Sequence, residues 1–109
     1  SWIMYSPIFL RTENQLNKLL KSQRKSRKDW GILFVSLWDD ASKTLVETIN
    51  SKLPTDEEKS KPLYIVDSFK MPHAFVIFKT TKIPHLIQFK RGGLESEDYL
   101  SKVYEELGL

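Results

Sequence analysis

Trp38-Asp39-Asp40-Ala41-Ser42 concentrates chemistry-bearing side chains, two carboxylates and a hydroxyl directly after an apolar stretch. Asp39 and Asp40 could act as a carboxylate pair in acid–base or metal chemistry. Ser42 could be a nucleophile or a ligand contact. Each also has a plainer reading. Acids before a helix suit its dipole, and neighbours in sequence need not point together. A serine at a helix start is explained by N-capping. His73 and His85 are the two histidines, and their spacing fits no metal motif. His85 follows Pro84 and reads either as a groove contact or as packing. Asp67 closes an apolar run and reads as a turn or helix cap. No Gly-rich phosphate loop occurs. With no cysteine in the chain, disulfides, thiolate catalysis and Cys-based zinc sites are excluded. No metal and no cofactor is expected, and a Cys-free chain leaves the redox compartment open.

The elements that position these residues follow from periodicity. Pro7 to Leu10 is a short strand. Thr12 and Gln15 form a capping box, and Leu16, Leu19 and Leu20 continue at helical spacing to about Ser22. A basic loop or frayed helix end follows. Gly31 to Leu37 is almost continuously apolar, as in a strand buried on both faces. Ser42 is expected to cap a helix carrying Leu45, Val46, Ile49 and Leu53, with Pro54 as its stop. A polar loop runs from Thr55 to Lys61. Leu63 to Val66 is a buried strand ending at Asp67. Pro72 opens a short helix with Ala74, Phe75 and Phe78 inward, or Ala74 to Phe78 is a strand, since the run is β-branched and aromatic. Leu86 to Phe89 is the last strand, before a turn at Gly92-Gly93. Ser96 is read as the N-cap of a final helix with stripe Tyr99, Leu100, Val103, Tyr104 and Leu107, and Gly108 at C′. Strands alternate with helices, which implies an α/β layered domain with a mostly parallel sheet.

At 109 residues, the chain is the size of one domain, residues 1–109. Hydrophobic residues make up 40% and aromatics 12%, enough for a packed core. No apolar run of about 18 residues occurs, so no membrane span is expected. The chain starts at Ser1 and is read as processed or excised, and Trp2 to Leu10 is too short for a signal peptide. The net charge of +3 is unevenly placed. Lys18, Lys21, Arg24, Lys25, Arg27 and Lys28 crowd together, whereas Glu95, Glu97, Asp98, Glu105 and Glu106 gather near the end. The basic run reads as a solvated face or as a patch for an acidic partner or nucleic acid. Only Trp30 adjoins it, so no base-stacking platform is indicated.

This order resembles the thioredoxin-like superfamily over nearly the whole chain from Ile8. The segments that carry the resemblance are the strand ending Leu37-Trp38, then Tyr64-Ile65-Val66-Asp67, Ile83-Pro84 and Phe89-Lys90-x-Gly92. The resemblance implies an α/β fold with a central mixed sheet of about four strands flanked by helices. It also implies a cis Ile83-Pro84 bond. Four departures accompany it. Ser42 and Leu45 stand in the places read as the two thiols of Cys-x-x-Cys, and Ser36 in that of a buried Asp. The chain between Gly93 and Ser96 is too short for a fifth strand, which leaves the fourth strand as an edge open to another chain.

Thiol–disulfide exchange needs a thiolate and a resolving thiol, so disulfide reductase activity is excluded and the chain is read as a non-enzyme. The expectation is a redox-inactive interaction (adaptor or substrate-binding) domain. Its groove would comprise Trp38, Asp39, Asp40, Ser42, Ile83, Pro84 and His85 and would hold a protein or extended peptide, with dimerisation through the sheet edge as a further expectation. Trp38 reads either as core packing or, if exposed, as an anchor for a partner. A second reading makes the chain a component of a nucleic-acid assembly docking through Lys18 to Lys28. Spliceosomal thioredoxin-like proteins are similar in lacking Cys-x-x-Cys and in a Tyr-x-Val-Asp strand with Pro five residues after the Asp, as in Asp67 to Pro72. A third, a glutathione-transferase-like half domain, ranks last because the helical second domain is missing.

Overall fold

The computed structural model describes residues 5–52 and 60–109. The order is β1 (Tyr5–Phe9), α1 (Glu13–Ser26), β2 (Trp30–Val35), α2 (Asp40–Ser51), β3 (Lys61–Asp67), α3 (Pro72–Ile77), β4 (His85–Lys90), β5 (Gly93–Tyr99) and α4 (Ser101–Glu106). Leu53, the stop at Pro54 and most of the polar loop from Thr55 lie outside the described residues.

The sheet has five strands in the order β1-β3-β2-β4-β5. β1 and β2 run parallel to β3, whereas β4 is antiparallel to both β2 and β5. All six residues of β2 are buried, as its unbroken apolar run requires. Their side chains divide by the period of two. Trp30, Ile32 and Phe34 join Leu16 of α1 and Met71 and Ala74 beside or within α3. Leu33 and Val35 join Leu45, Val46 and Ile49 of α2 and Val103 of α4. The sheet is therefore covered on both faces, by α1 and α3 on one side and α2 and α4 on the other. Gly31 has no side chain to place there, and a Cβ would lie 3.3 Å from Leu63 Cδ1. The Tyr5 phenol on edge strand β1 donates to Gln88 Oε1 on β4 at 2.8 Å, tying non-adjacent strands. Burial pushes its pKa up to about 12, with Glu106, Asp29 and Glu95 adding to the shift.

Several expectations change. A fifth strand is present, and Ser96 lies within it rather than capping a helix. The segment Gly93–Tyr99 carries three acids, whose composition reads as a helix start. Pairing with β4 overrides that local preference. The hairpin turns through Arg91 and Gly92, with φ of 53° and 81°, one residue earlier than expected. Two positive φ values in a two-residue loop are what a type I′ turn needs. A register shift between Gln88 and Phe89 absorbs an extra residue. β4 is thus interior, and the free edge on that side belongs to β5. β5 carries Glu95, Glu97 and Asp98, and negative charge on an edge strand discourages pairing.

Residues 74–77 are helical, opened by Pro72 at the first position, so the strand alternative falls. α1 continues to Ser26, and the basic run is largely helix rather than loop. Its start is the expected capping box, with the Gln15 N–H donating to Thr12 Oγ1 at 3.1 Å and the Thr12 N–H to Gln15 Oε1 at 3.2 Å. Arg27 ends the helix at φ 55°. Gly108 has φ 71°, one residue past the C-cap of α4, as its C′ position implied.

Candidate functional site

Trp38 and Asp39 follow the C-terminal end of β2, and Phe34 pairs in register with His85 at the start of β4. The carboxyl ends of β2 and β3 and the segment entering β4 therefore share one end of the sheet. In open α/β sheets, ligands bind at the carboxyl ends of strands.

The chain leaves β2 through a turn closed by the Asp39 N–H donating to Ser36 O at 2.9 Å. Trp38 sits at the tip of this turn and is 80% exposed. β3 ends at Asp67, which is buried, and its carboxylate accepts three backbone N–H groups. They come from Leu37 at 2.8 Å, Phe69 at 3.2 Å and Lys70 at 3.3 Å. The Ser68 N–H also donates to Val35 O at 2.9 Å. One carboxylate thus holds the β2–α2 and β3–α3 loops together. The result is that Trp38 and Phe69, itself 72% exposed, stand with ring centroids 5.9 Å apart and planes tilted by 49°. Phe69 was missed by sequence reasoning. Its signal was an aromatic in a turn between a strand-ending Asp and a helix-opening Pro.

Asp39, not Ser42, is the N-cap of α2; its Oδ2 accepts the Ser42 N–H at 3.0 Å. Asp40 is exposed in the first turn. The two carboxylates do not converge, because one is committed to capping. Ser42 is buried, and its Oγ accepts the Ser36 N–H at 3.2 Å. Leu45 lies fully inside the core. The paired positions at the helix start are therefore Asp39 and Ser42, three residues earlier than Ser42 and Leu45. Ser36 lies beyond the end of β2, and the β2 side chains facing α2 are Leu33 and Val35.

His85 is fully buried, so its ring reaches no surface groove. It stacks on Tyr99 at 4.2 Å and beside Phe34 at 5.4 Å. Nδ1 lies 2.9 Å from Thr80 Oγ1 and Nε2 lies 3.2 Å from Glu97 Oε1. A carboxylate only accepts, so Nε2 carries a proton; in the neutral ring Nδ1 then accepts from the threonine hydroxyl. Burial holds its pKa below the ordinary value, against the opposing pull of Glu97. His85 packs with Phe34 on the α1/α3 face, whereas Ser42 belongs to α2 on the other. A serine–histidine pair cannot form across the sheet.

The Ile83-Pro84 bond is cis. Ile83 is half-buried and Pro84 is buried, with its carbonyl accepting the Leu100 N–H at 2.9 Å. Leu100 adds a half-exposed apolar side chain at this end of the sheet. His73 is exposed on α3, and no group of His, Asp or Glu among the described residues is arranged to hold a metal. No described helix is long and apolar enough to cross a membrane. Lys18, Lys21, Arg24, Lys25, Arg27 and Lys28 are all exposed, on or just beyond α1, away from the Trp38 end.

No protein-family model matches the sequence, and no curated protein matches it. Solved structures do match in shape. A thioredoxin from Nicotiana alata is similar at 16% identity over 97% of this chain and 92% of that one, with a TM-score of 0.75. Thioredoxin O1 from Arabidopsis thaliana is similar at 14% identity over 94% and 92%, with a TM-score of 0.77. A thioredoxin from Schistosoma mansoni shares 19% identity over 98% and 97%, with a TM-score of 0.73. The chain has the thioredoxin-like fold. It has that fold without a single cysteine, and hence without the Cys-x-x-Cys motif.

Proposed function

We propose that this chain is a non-catalytic protein-interaction domain that holds an extended peptide or a protein surface at the carboxyl end of its central strands. The observation that carries this reading is the exposed Trp38–Phe69 pair, pinned by buried Asp67. Exposed aromatics on a rigid frame lose little entropy on docking and serve as binding anchors. Asp39 and Asp40 follow Trp38 directly and are exposed, Ile83 is half-buried, and Ser42, Pro84 and His85 are buried and offer a partner no side-chain surface.

Catalysis has no comparable support. Thiol chemistry is absent, the Ser42 hydroxyl is buried, and His85 faces the opposite side of the sheet. The buried hydroxyl also removes what a glutathione-transferase-like reading would need at the helix start.

The test is selection of a random-peptide library on the protein, followed by titration of the selected peptides. Trp38→Ala/Phe69→Ala is expected to weaken binding at least tenfold with no change in secondary structure. Equal affinities for wild type and the double variant would reject the reading.

A further inference from the structure

We infer that the opposite end of the molecule is a second interaction surface, which binds the phosphate backbone of double-stranded nucleic acid without reading sequence. This goes beyond the peptide-binding reading and does not depend on it.

The surface is built from two segments. On α1, Lys18, Lys21 and Lys25 fall at i, i+3 and i+7, which places them on one face. That face is opposite Leu16, Leu19, Leu20 and Gln23, which turn toward the core. At 1.5 Å rise per residue, the stripe is about 10 Å long. Arg24, Arg27 and Lys28 extend it around the helix end. The second segment is the β4–β5 turn with Lys90 and Arg91. It is held against that helix end, since a Cβ on Gly92 would lie 3.1 Å from Gln23 O and 3.5 Å from Arg24 O. Two stretches far apart in sequence therefore bring their cations to one corner.

None of the six cations on or beside α1 forms an ion pair among the described residues, whereas Lys90 lies 3.8 Å from Glu95. Asp29, the acid beside them, is already engaged. It accepts the Arg91 N–H at 3.1 Å and lies 3.7 Å from Lys61 Nζ.

The composition of the stripe selects the partner. Its outward face is Asn14, Lys18, Lys21, Ser22 and Lys25, all exposed and none apolar. Protein interfaces depend on aromatic or aliphatic anchors at their centre. A helix lying in a membrane needs an apolar face to insert, and here that face is spent on the core. Single-stranded nucleic acid is held on aromatic stacking platforms, and Trp30, the aromatic next in sequence, is buried against Phe89 at 4.1 Å. What remains is a rigid row of lysines with small polar neighbours, the set that contacts duplex phosphates and fixes position without base readout. Affinity would come from counterion release and fall steeply with salt.

The experiment is fluorescence anisotropy with a labelled DNA duplex of about 20 base pairs at several salt concentrations. Two duplexes of different composition are expected to bind equally. Lys18→Gln/Lys21→Gln/Lys25→Gln is expected to weaken binding at least tenfold and to flatten the log–log salt slope by about 2–3. Arg24→Gln/Arg91→Gln, from the other segment, is expected to weaken it as well. Circular dichroism melts of both variants separate loss of binding from loss of fold. Trp38→Ala/Phe69→Ala is expected to bind duplex normally, so failure here is distinct from failure of the peptide site. Several outcomes overturn the inference. They are no duplex binding at low salt, binding unchanged in folded triple variant, and equal or tighter binding to single strands, polyglutamate or anionic phosphatidylserine vesicles.

Discussion

Asp67 accepts backbone N–H groups from two loops, so its removal would leave three part-buried donors without this acceptor rather than one. Asp67→Ala is expected to cost about 1–3 kcal/mol in chemical denaturation and to weaken peptide binding although Asp67 touches no partner. Wild-type affinity in a folded Asp67→Ala protein would show that the rings do not need the staple. The register at the helix start is equally testable. Asp39→Cys/Ser42→Cys places two thiols at N-cap and N3, within disulfide reach, and is expected to oxidise to an intramolecular bridge by mass spectrometry. Ser42→Cys/Leu45→Cys buries one thiol in the core and is expected to stay reduced. His85 gives a pH dependence. Its folded pKa lies below the ordinary 6.5 because burial disfavours the charged ring. The unfolded chain therefore binds the proton first, and stability present above about 6.5 is lost as pH falls below it. Thermal midpoints across pH 7 to 5 are expected to decline in wild type and to decline less in His85→Gln; parallel curves would remove His85 as the cause.

Among the elements, β5 shows how a hairpin can overrule composition. Glu95, Glu97 and Asp98 favour a helix start locally, but a turn with two positive φ residues sends the chain back along β4. Gly92 is the sensitive point, with φ of 81° and a Cβ position 3.1 Å from Gln23 O. Gly92→Ala is expected to destabilise by about 1–2 kcal/mol, from the left-handed conformation alone, with close contact adding to it. An unchanged urea midpoint would mean that Gly92 does not hold the left-handed conformation in the turn. The acidic edge of β5 also sets two copies against each other, because antiparallel pairing of β5 with itself would bring like charges together. α1 and α2 illustrate the other case, where local signals suffice. Thr12 and Gln15 announced their capping box in four residues, and the apolar spacing of Leu45, Val46 and Ile49 located the buried face of α2.

At the level of the whole molecule, the two proposed surfaces lie at opposite ends of the sheet, one apolar and small, the other basic. If both proposals hold, the domain would join a protein partner to a nucleic acid. The sequence by itself determined the layered α/β class, the core strands β2 and β3, the helix faces and the loss of thiol chemistry. These depend on periodicity, on burial of long apolar runs and on residue types, all of which are local properties. Only the tertiary structure decided that β5 exists, that His85 is enclosed while Trp38 is exposed, and that Phe69 stands beside it. It also brought Arg91 to the end of α1. Each of these depends on which segments far apart in the chain come into contact, and a carboxylate such as Asp67 looks the same in sequence whether it caps one turn or ties two loops together.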